Sequence, residues 1–111
     1  GAPDINYNYE IVLVIANEGY TDTVMEAARE AGARGGTVLH GKGTGSQESA
    51  KFFGVSIASE KEVIMIVAKS SEKAAIMKSI IDKAGTQTDA GAVVMSLPVS
   101  AVAGFGMLDN N

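Results

Sequence analysis

The chain has 111 residues, of which 46% are hydrophobic and 20% charged, and its formal net charge is −4. This balance predicts one globular domain over residues 1–111, with a flexible N-terminal segment at 1–8, and the acidity argues against nucleic-acid binding. The chain has no cysteine and one histidine, His40, which excludes disulfides, cysteine-ligated zinc and histidine-rich metal centres.

No secretion or membrane signal is visible in the sequence. The N-terminus has no basic region followed by an apolar stretch, and the longest apolar run, Ile11 to Ala16, is far shorter than a membrane helix requires. The sequence therefore predicts a cytoplasmic protein.

The first half of the chain reads as strand, helix and strand. Residues 9–17 form a continuous, largely β-branched run that is typical of a central strand. Thr21 or Asp22 is expected to cap a helix, and Gly32 to end it. A second strand is predicted over 36–42. The apolar face of the helix is expected to comprise Val24, Ala27, Ala28 and Ala31.

The middle of the chain is less regular. Residues 43–59 contain glycines among serine, glutamine and glutamate, and 52–57 are expected to add a short extended piece. A third strand follows at 62–68. It repeats the pattern of residues 10–16, because both segments run from a glutamate through five apolar residues to an alanine.

The last third again reads as helix and strand. Ser70 or Ser71 is expected to cap the second helix, a polar loop follows at 85–91, and a fourth strand over 92–97 is expected to end at Pro98. The apolar face of the second helix is predicted to comprise Ala74, Met77, Ile80, Ile81 and Ala84.

The order of these elements is β-α-β-β-α-β, with an internal repeat. Two right-handed βαβ units that share one sheet give the ferredoxin-like α+β fold, with an antiparallel sheet and both helices on one face. The strands are apolar on both faces: Ile11, Leu13 and Ile15 alternate with Val12 and Val14. Since water would contact the second face of a monomer, we predict a homo-oligomer whose sheets face inward.

The sequence does not support a catalytic site or a metal site. His40 has no acidic or histidine partner at a suggestive spacing, which favours a partly buried or interface histidine. The carboxylate pairs Glu60/Glu62 and Glu26/Glu30 are predicted to be solvated surface. We therefore expect a protein that is not an enzyme.

Residues 41–47, Gly-Lys-Gly-Thr-Gly-Ser-Gln, are the clearest candidate for ligand binding. Glycines allow close backbone approach to an anion, and consecutive N–H groups can form an anion nest beside Lys42. The alternative is a flexible hairpin loop between two strands.

The stretch from Glu30 to Gln47 resembles the PII nitrogen-regulatory signalling family. The family has a helix that ends in glycine, a Gly-x-Thr-Val strand, and a Lys-Gly-x-Gly-x-Gln motif that opens its long T-loop. The resemblance extends from Tyr9 to about Val99 and makes residues 43–60 a T-loop-like region. The matching residues are Gly32, Gly35, Thr37, Val38, Lys42, Gly43, Gly45 and Gln47.

This resemblance implies a regulatory homotrimer. PII proteins bind ATP or ADP between subunits, often with 2-oxoglutarate and Mg²⁺, and use the T-loop to bind an enzyme or a membrane transporter. It also implies that Lys61 lies at the base of the T-loop, and that 85–92 correspond to the phosphate-binding B-loop. The implied effector-binding residues are Lys42, Gly43, Gly45, Gln47, Lys61, Thr86 and Gly91.

The chain departs from the family where phosphates would bind. Ser46 replaces an arginine, 85–92 contain no lysine, and 102–111 contain no basic residue. Charge-assisted contacts to Lys or Arg normally hold a triphosphate, so we expect weakened binding of an adenine nucleotide. A less charged nucleotide, another small metabolite or no ligand remain open, as does a trimeric binding module of the divalent-metal-tolerance type. Phe52 and Phe53 are expected either to face a partner or to pack the loop onto the trimer.

Overall fold

In a computed structural model, the chain is described over residues 8–41, 51–52, 55–56 and 60–101. Two helices and four strands follow one another in the predicted order, and a pair of short strands is added between the second and third of these four. The strands are β1 (Tyr9–Asn17), β2 (Thr37–Gly41), β3 (Lys51–Phe52), β4 (Val55–Ser56), β5 (Lys61–Lys69) and β6 (Val93–Pro98). The helices are α1 (Thr21–Glu30) and α2 (Lys73–Ala84).

Four strands form one antiparallel sheet in the order β2-β5-β1-β6. The two copies of the sequence repeat, β1 and β5, are its central strands and pair over their whole length, with Leu13 opposite Met65. This confirms the ferredoxin-like α+β fold. The extended piece expected over 52–57 is a small hairpin instead, in which β3 pairs with β4 and Lys51 lies opposite Ser56. Phe53 lies outside the described residues.

Both helices cover the same face of the sheet, as predicted. Every second residue of the central strands points toward them and is buried, because side chains alternate between the faces of a strand. The helices complete this core with Val24, Ala27 and Ala28 from α1 and Ile76, Ile80 and Ala84 from α2. The buried strand residues are Val12, Val14, Ala16, Ile64, Ile66 and Ala68.

The buried face of α2 differs from the expected one. Ile76 and Ile80 are fully buried, whereas Ala74 is exposed and Ile81 is 47% exposed. The apolar residues of this helix cover more than half its circumference, so periodicity alone allowed two registers. Packing against α1 and β6 selects the stripe Ile76, Ile80 and Ala84, and leaves Ile81 at the surface.

The helices start at other residues than the expected caps, whereas the end of α1 is as expected. The residues that precede the helices are Tyr20 and Glu72, and neither makes a side-chain capping hydrogen bond. The expected stop at Gly32 is confirmed: its φ is +112° and its N–H donates to the carbonyl of Arg29. Within the described residues, neither helix is long and apolar enough to cross a bilayer.

No helix within the described part of the chain covers the second face of the four-stranded sheet, here called the open face. The middle of this face is apolar apart from Thr37, and the pairs Asn17/Lys61 and Tyr9/Lys69 lie at its two ends. Several of its apolar side chains are about half exposed: Leu39 (48%), Val67 (50%) and Leu97 (47%). The strand register assigns to the open face Thr37 and Leu39 from β2, Val63, Met65 and Val67 from β5, Ile11, Leu13 and Ile15 from β1, and Val93, Met95 and Leu97 from β6.

The two halves of the repeat are joined by two hydrogen bonds to glutamates. Glu10, near the start of β1, accepts a hydrogen bond from Lys73, the first residue of α2, at 2.9 Å. Glu62, the equivalent residue of β5, accepts one from Thr21, the first residue of α1, at 2.7 Å. Each glutamate therefore fixes the start of the helix that belongs to the other repeat. The second of these contacts lies at the candidate functional site.

Candidate functional site

The candidate site lies at one end of the sheet, where the central strand β1 ends and the central strand β5 begins. Lys61 Nζ donates to Asn17 Oδ1 at 2.5 Å, because the antiparallel register places these residues opposite each other. The Asn17 amide in turn donates to the carbonyl of Asp89 at 2.8 Å, and its backbone N–H donates to the carbonyl of Ala90 at 2.9 Å. Asn17 therefore joins the base of the loop that follows β2 to the loop at 85–91.

The loop at 85–91 is closed by its own hydrogen bonds. The carbonyl of Gly85 accepts from both the backbone N–H and the hydroxyl of Thr88, at 2.9 and 2.7 Å. The N–H of Gly91 donates to the carbonyl of Thr88 at 3.1 Å. Gly91 has a φ of +57°, and a Cβ there would lie 3.1 Å from the Asn17 amide nitrogen. Glycine thus permits both the turn and the close approach of Asn17.

The predicted effector-binding residues are divided between described and undescribed parts of the chain. Lys42, Gly43, Gly45 and Gln47 lie outside the described residues. Among the others, Lys61 and Gly91 are partly buried and Thr86 is exposed. The structure brings Lys61 and the loop 85–91 to the same end of the sheet, where both are hydrogen-bonded to Asn17.

Glu62 is a buried carboxylate, so the expectation that it belongs to a solvated pair is wrong. It is 6% exposed, and its two oxygens accept from the N–H of Gly19 at 2.6 Å and the hydroxyl of Thr21 at 2.7 Å. These bonds, Thr21 first and Gly19 second, lower the pKa of Glu62 below its ordinary value, although burial opposes the shift. The carboxylate stays ionised and holds the turn between β1 and α1.

His40 is more exposed than expected. Its side chain is 70% exposed, and Nδ1 lies 3.8 Å from the Glu62 carboxylate across the β2–β5 pair. It therefore adds a weak electrostatic contact at the rim of the site. The expectation of a solvated surface holds for Glu26, Glu30 and Glu60, which are exposed; Glu30 forms an ion pair with Lys83.

Among the described residues, the charges at this end of the sheet do not favour a polyphosphate. The ammonium group of Lys61 donates to the neutral amide of Asn17. The adjacent loop at 85–91 contains the exposed Asp89 and has no lysine or arginine. Glu18 and Glu60 are exposed close by in the sequence. Within the described residues, no three histidine, cysteine or acidic side chains come together as a metal-ligand group. The arrangement suits recognition through backbone and amide groups.

Asn17 is the residue of the candidate site that the sequence did not identify. Its importance depends on two partners that lie 44 and 72 positions away along the chain. The available signal was indirect: an asparagine at the end of a strand, followed by Glu-Gly, can use its side chain to bond neighbouring backbone groups.

We expect Asn17→Ala to loosen the loop at 85–91. The variant loses the bonds to Lys61 and to the Asp89 carbonyl, and these partly solvated bonds contribute on the order of 1 kcal/mol to stability. Faster hydrogen exchange is expected at the amides of this loop. Asn8→Ala, which removes an exposed side chain, is the control, and equal exchange rates in both variants would contradict the role of Asn17.

Comparisons with known proteins point to one family. A family model described as nitrogen regulatory protein P-II matches residues 9–105. A crystal structure of Arabidopsis thaliana PII bound to citrate is similar in fold, with a TM-score of 0.63 and 25% sequence identity. That match covers 86% of this chain and 78% of the plant chain. No curated protein matches the chain.

Proposed function

Because the chain belongs to the nitrogen regulatory protein P-II family, we propose that it is a cytoplasmic signalling protein that binds a small effector and regulates a partner protein. The family match over residues 9–105 is the observation that carries this proposal. The partner is an enzyme or a membrane transporter, and the loop between β2 and β5, residues 43–60, contacts it.

The proposed assembly is a homotrimer that buries the open face. An apolar surface formed by all four strands is unfavourable in water, and burial against other copies of the chain removes it from solvent. Leu39, Val67 and Leu97, each about half exposed in the single chain, would lie inside this assembly. The clefts between subunits then become the places where an effector binds.

The proposed effector site combines the glycine-rich motif at 41–47 with the end of the sheet around Asn17. Lys42, Gly43, Gly45 and Gln47 would approach the ligand from one side, and Lys61, Thr86 and Gly91 from the other. The small number of cations among the described residues at this end of the sheet favours a ligand with less negative charge than ATP. ADP, AMP, another adenine nucleotide or a small metabolite fit this requirement better than a triphosphate.

Thermal-shift measurements on the purified protein test this function. We expect stabilisation by an adenine nucleotide or by 2-oxoglutarate or bicarbonate, because a ligand that binds only the folded state raises the melting temperature. The stabilisation should be lost in Lys42→Ala and Gln47→Ala and kept in Lys78→Ala, whose side chain is 76% exposed on α2. A response to divalent metals alone would favour the metal-tolerance type of module, and no response to any of these ligands would contradict an effector-binding role.

A further inference from the structure

A cavity of about 360 Å³ lies at the other end of the sheet, where β1 begins and β5 ends, away from Asn17. It is bounded by Tyr9 at the start of β1, the segment after α1, the end of β5 and the start of α2. Its volume is within the range of small-molecule sites in proteins, about 300–1,000 Å³. The effector-binding candidates that the structure describes, Lys61, Thr86 and Gly91, do not line it.

One wall of this cavity is apolar. Ala33, Ala68 and Ile76 line it with relative exposures of 8%, 5% and 0%, so their positions are fixed by the core. The two small alanines keep a little exposed surface in front of the fully buried Ile76, which gives the cavity a small apolar wall for an apolar group of a ligand. Burial of such a group would be favourable by about 25 cal/mol per Å².

Three charged residues also line the cavity. Arg34 and Lys69 line the cavity, are exposed, and form no ion pair within the described part of the chain. Glu72 contributes a carboxylate that lies over the backbone of Gly32, where any side chain would overlap it. By contrast, the neighbouring Lys73 is already paired with Glu10 at 2.9 Å. The cavity thus presents two cations and one anion beside an apolar wall.

We propose that this cavity binds a free α-amino acid with an apolar side chain. Its carboxylate pairs with Arg34 and Lys69, and its ammonium group pairs with Glu72. Its side chain packs against the small apolar wall formed by Ala33 and Ala68, behind which Ile76 is buried. A ligand that carried only one of the two charges would leave part of the charged lining unpaired, and this sets the specificity of the site.

Titration of the ¹⁵N-labelled protein with L-leucine tests the proposal. Saturable shifts are expected at the amides of Gly32, Gly35 and Ala68. Two truncated probes separate the charges: 4-methylpentanoate lacks the ammonium group, and 3-methylbutylamine lacks the carboxylate. Each should bind about tenfold more weakly or worse, since each loses a charge-assisted contact. Absence of saturable shifts at about 10 mM leucine, or equal binding of either truncated probe, would overturn the proposal.

Variants locate the site without relying on a buried residue. Arg34→Gln and Lys69→Gln should each weaken leucine binding, whereas Lys78→Gln, which removes a cation from the outer surface of α2, should not. Gly35→Leu should block the cavity while the fold is retained, because a Cβ at Gly35 meets no atom within 4 Å. Unchanged leucine binding in Gly35→Leu would exclude this cavity. A normal nucleotide response in the same variant would show that the effector site is separate.

Discussion

Leu97→Glu is expected to convert the assembly into monomers. Leu97 lies on β6 in the open face, is 47% exposed in the single chain, and lies opposite Ile11 on β1. In the proposed trimer this position is buried, and an unpaired carboxylate in an apolar interface costs several kcal/mol unless it becomes protonated. Light scattering should show the mass of three chains for the wild type and of one chain for the variant.

Ile81→Glu is the matched control for this experiment. Ile81 is also 47% exposed, but it lies on the outer surface of α2, away from the open face. The same substitution there should leave the mass unchanged. A monomeric wild type, or dissociation of both variants to the same degree, would contradict assembly through the open face.

Glu62→Gln is expected to have the second large effect, a loss of about 1.5–3 kcal/mol in the free energy of unfolding at neutral pH. An ionised carboxylate accepts from both Gly19 and Thr21, whereas an amide offers one acceptor oxygen and turns an NH₂ group toward one of these donors. Urea unfolding at a fixed protein concentration measures the loss. Glu60→Gln, at the exposed neighbouring acid, should change stability little.

The effect of Glu62 should depend on pH in a defined direction. Because its pKa is lowered in the folded state, its contribution is fully present above the ordinary carboxyl pKa and is lost as pH falls through the lower, folded value. The stability difference between wild type and Glu62→Gln should therefore shrink in acid, below about pH 4. A difference that stays constant from neutral to strongly acidic pH would show that the hydrogen bonds do not depend on ionisation.

Thr21→Val separates the hydroxyl from the shape of the side chain. It removes the donor to Glu62 and keeps the branched form, so a loss of about 1 kcal/mol is expected. Thr23→Val, on the exposed side of the same helix, is the control.

The sequence predicted most of the fold because two independent patterns agreed. The β-α-β-β-α-β order of the elements and the repeat of 10–16 at 62–68 together indicated two similar βαβ units in one sheet. The buried series Val12, Val14 and Ala16 in β1 matches the series Ile64, Ile66 and Ala68 in β5. The expectation for α2 was less accurate because its apolar residues allowed two faces, and packing against α1 selected the one that contains Ile76.

The amino-acid sequence alone indicates the class of the molecule: an α+β chain of the ferredoxin-like type, apolar on both faces of its central strands, with a family-specific glycine motif before the central loop. Local periodicity and short motifs are properties of neighbouring residues, so they can be read directly. The tertiary structure alone decided that Asn17 joins Lys61 to the loop 85–91 and that Glu62 is buried rather than solvated. These contacts join residues more than 40 positions apart, and pairing of β1 with β5 is what brings most of them together.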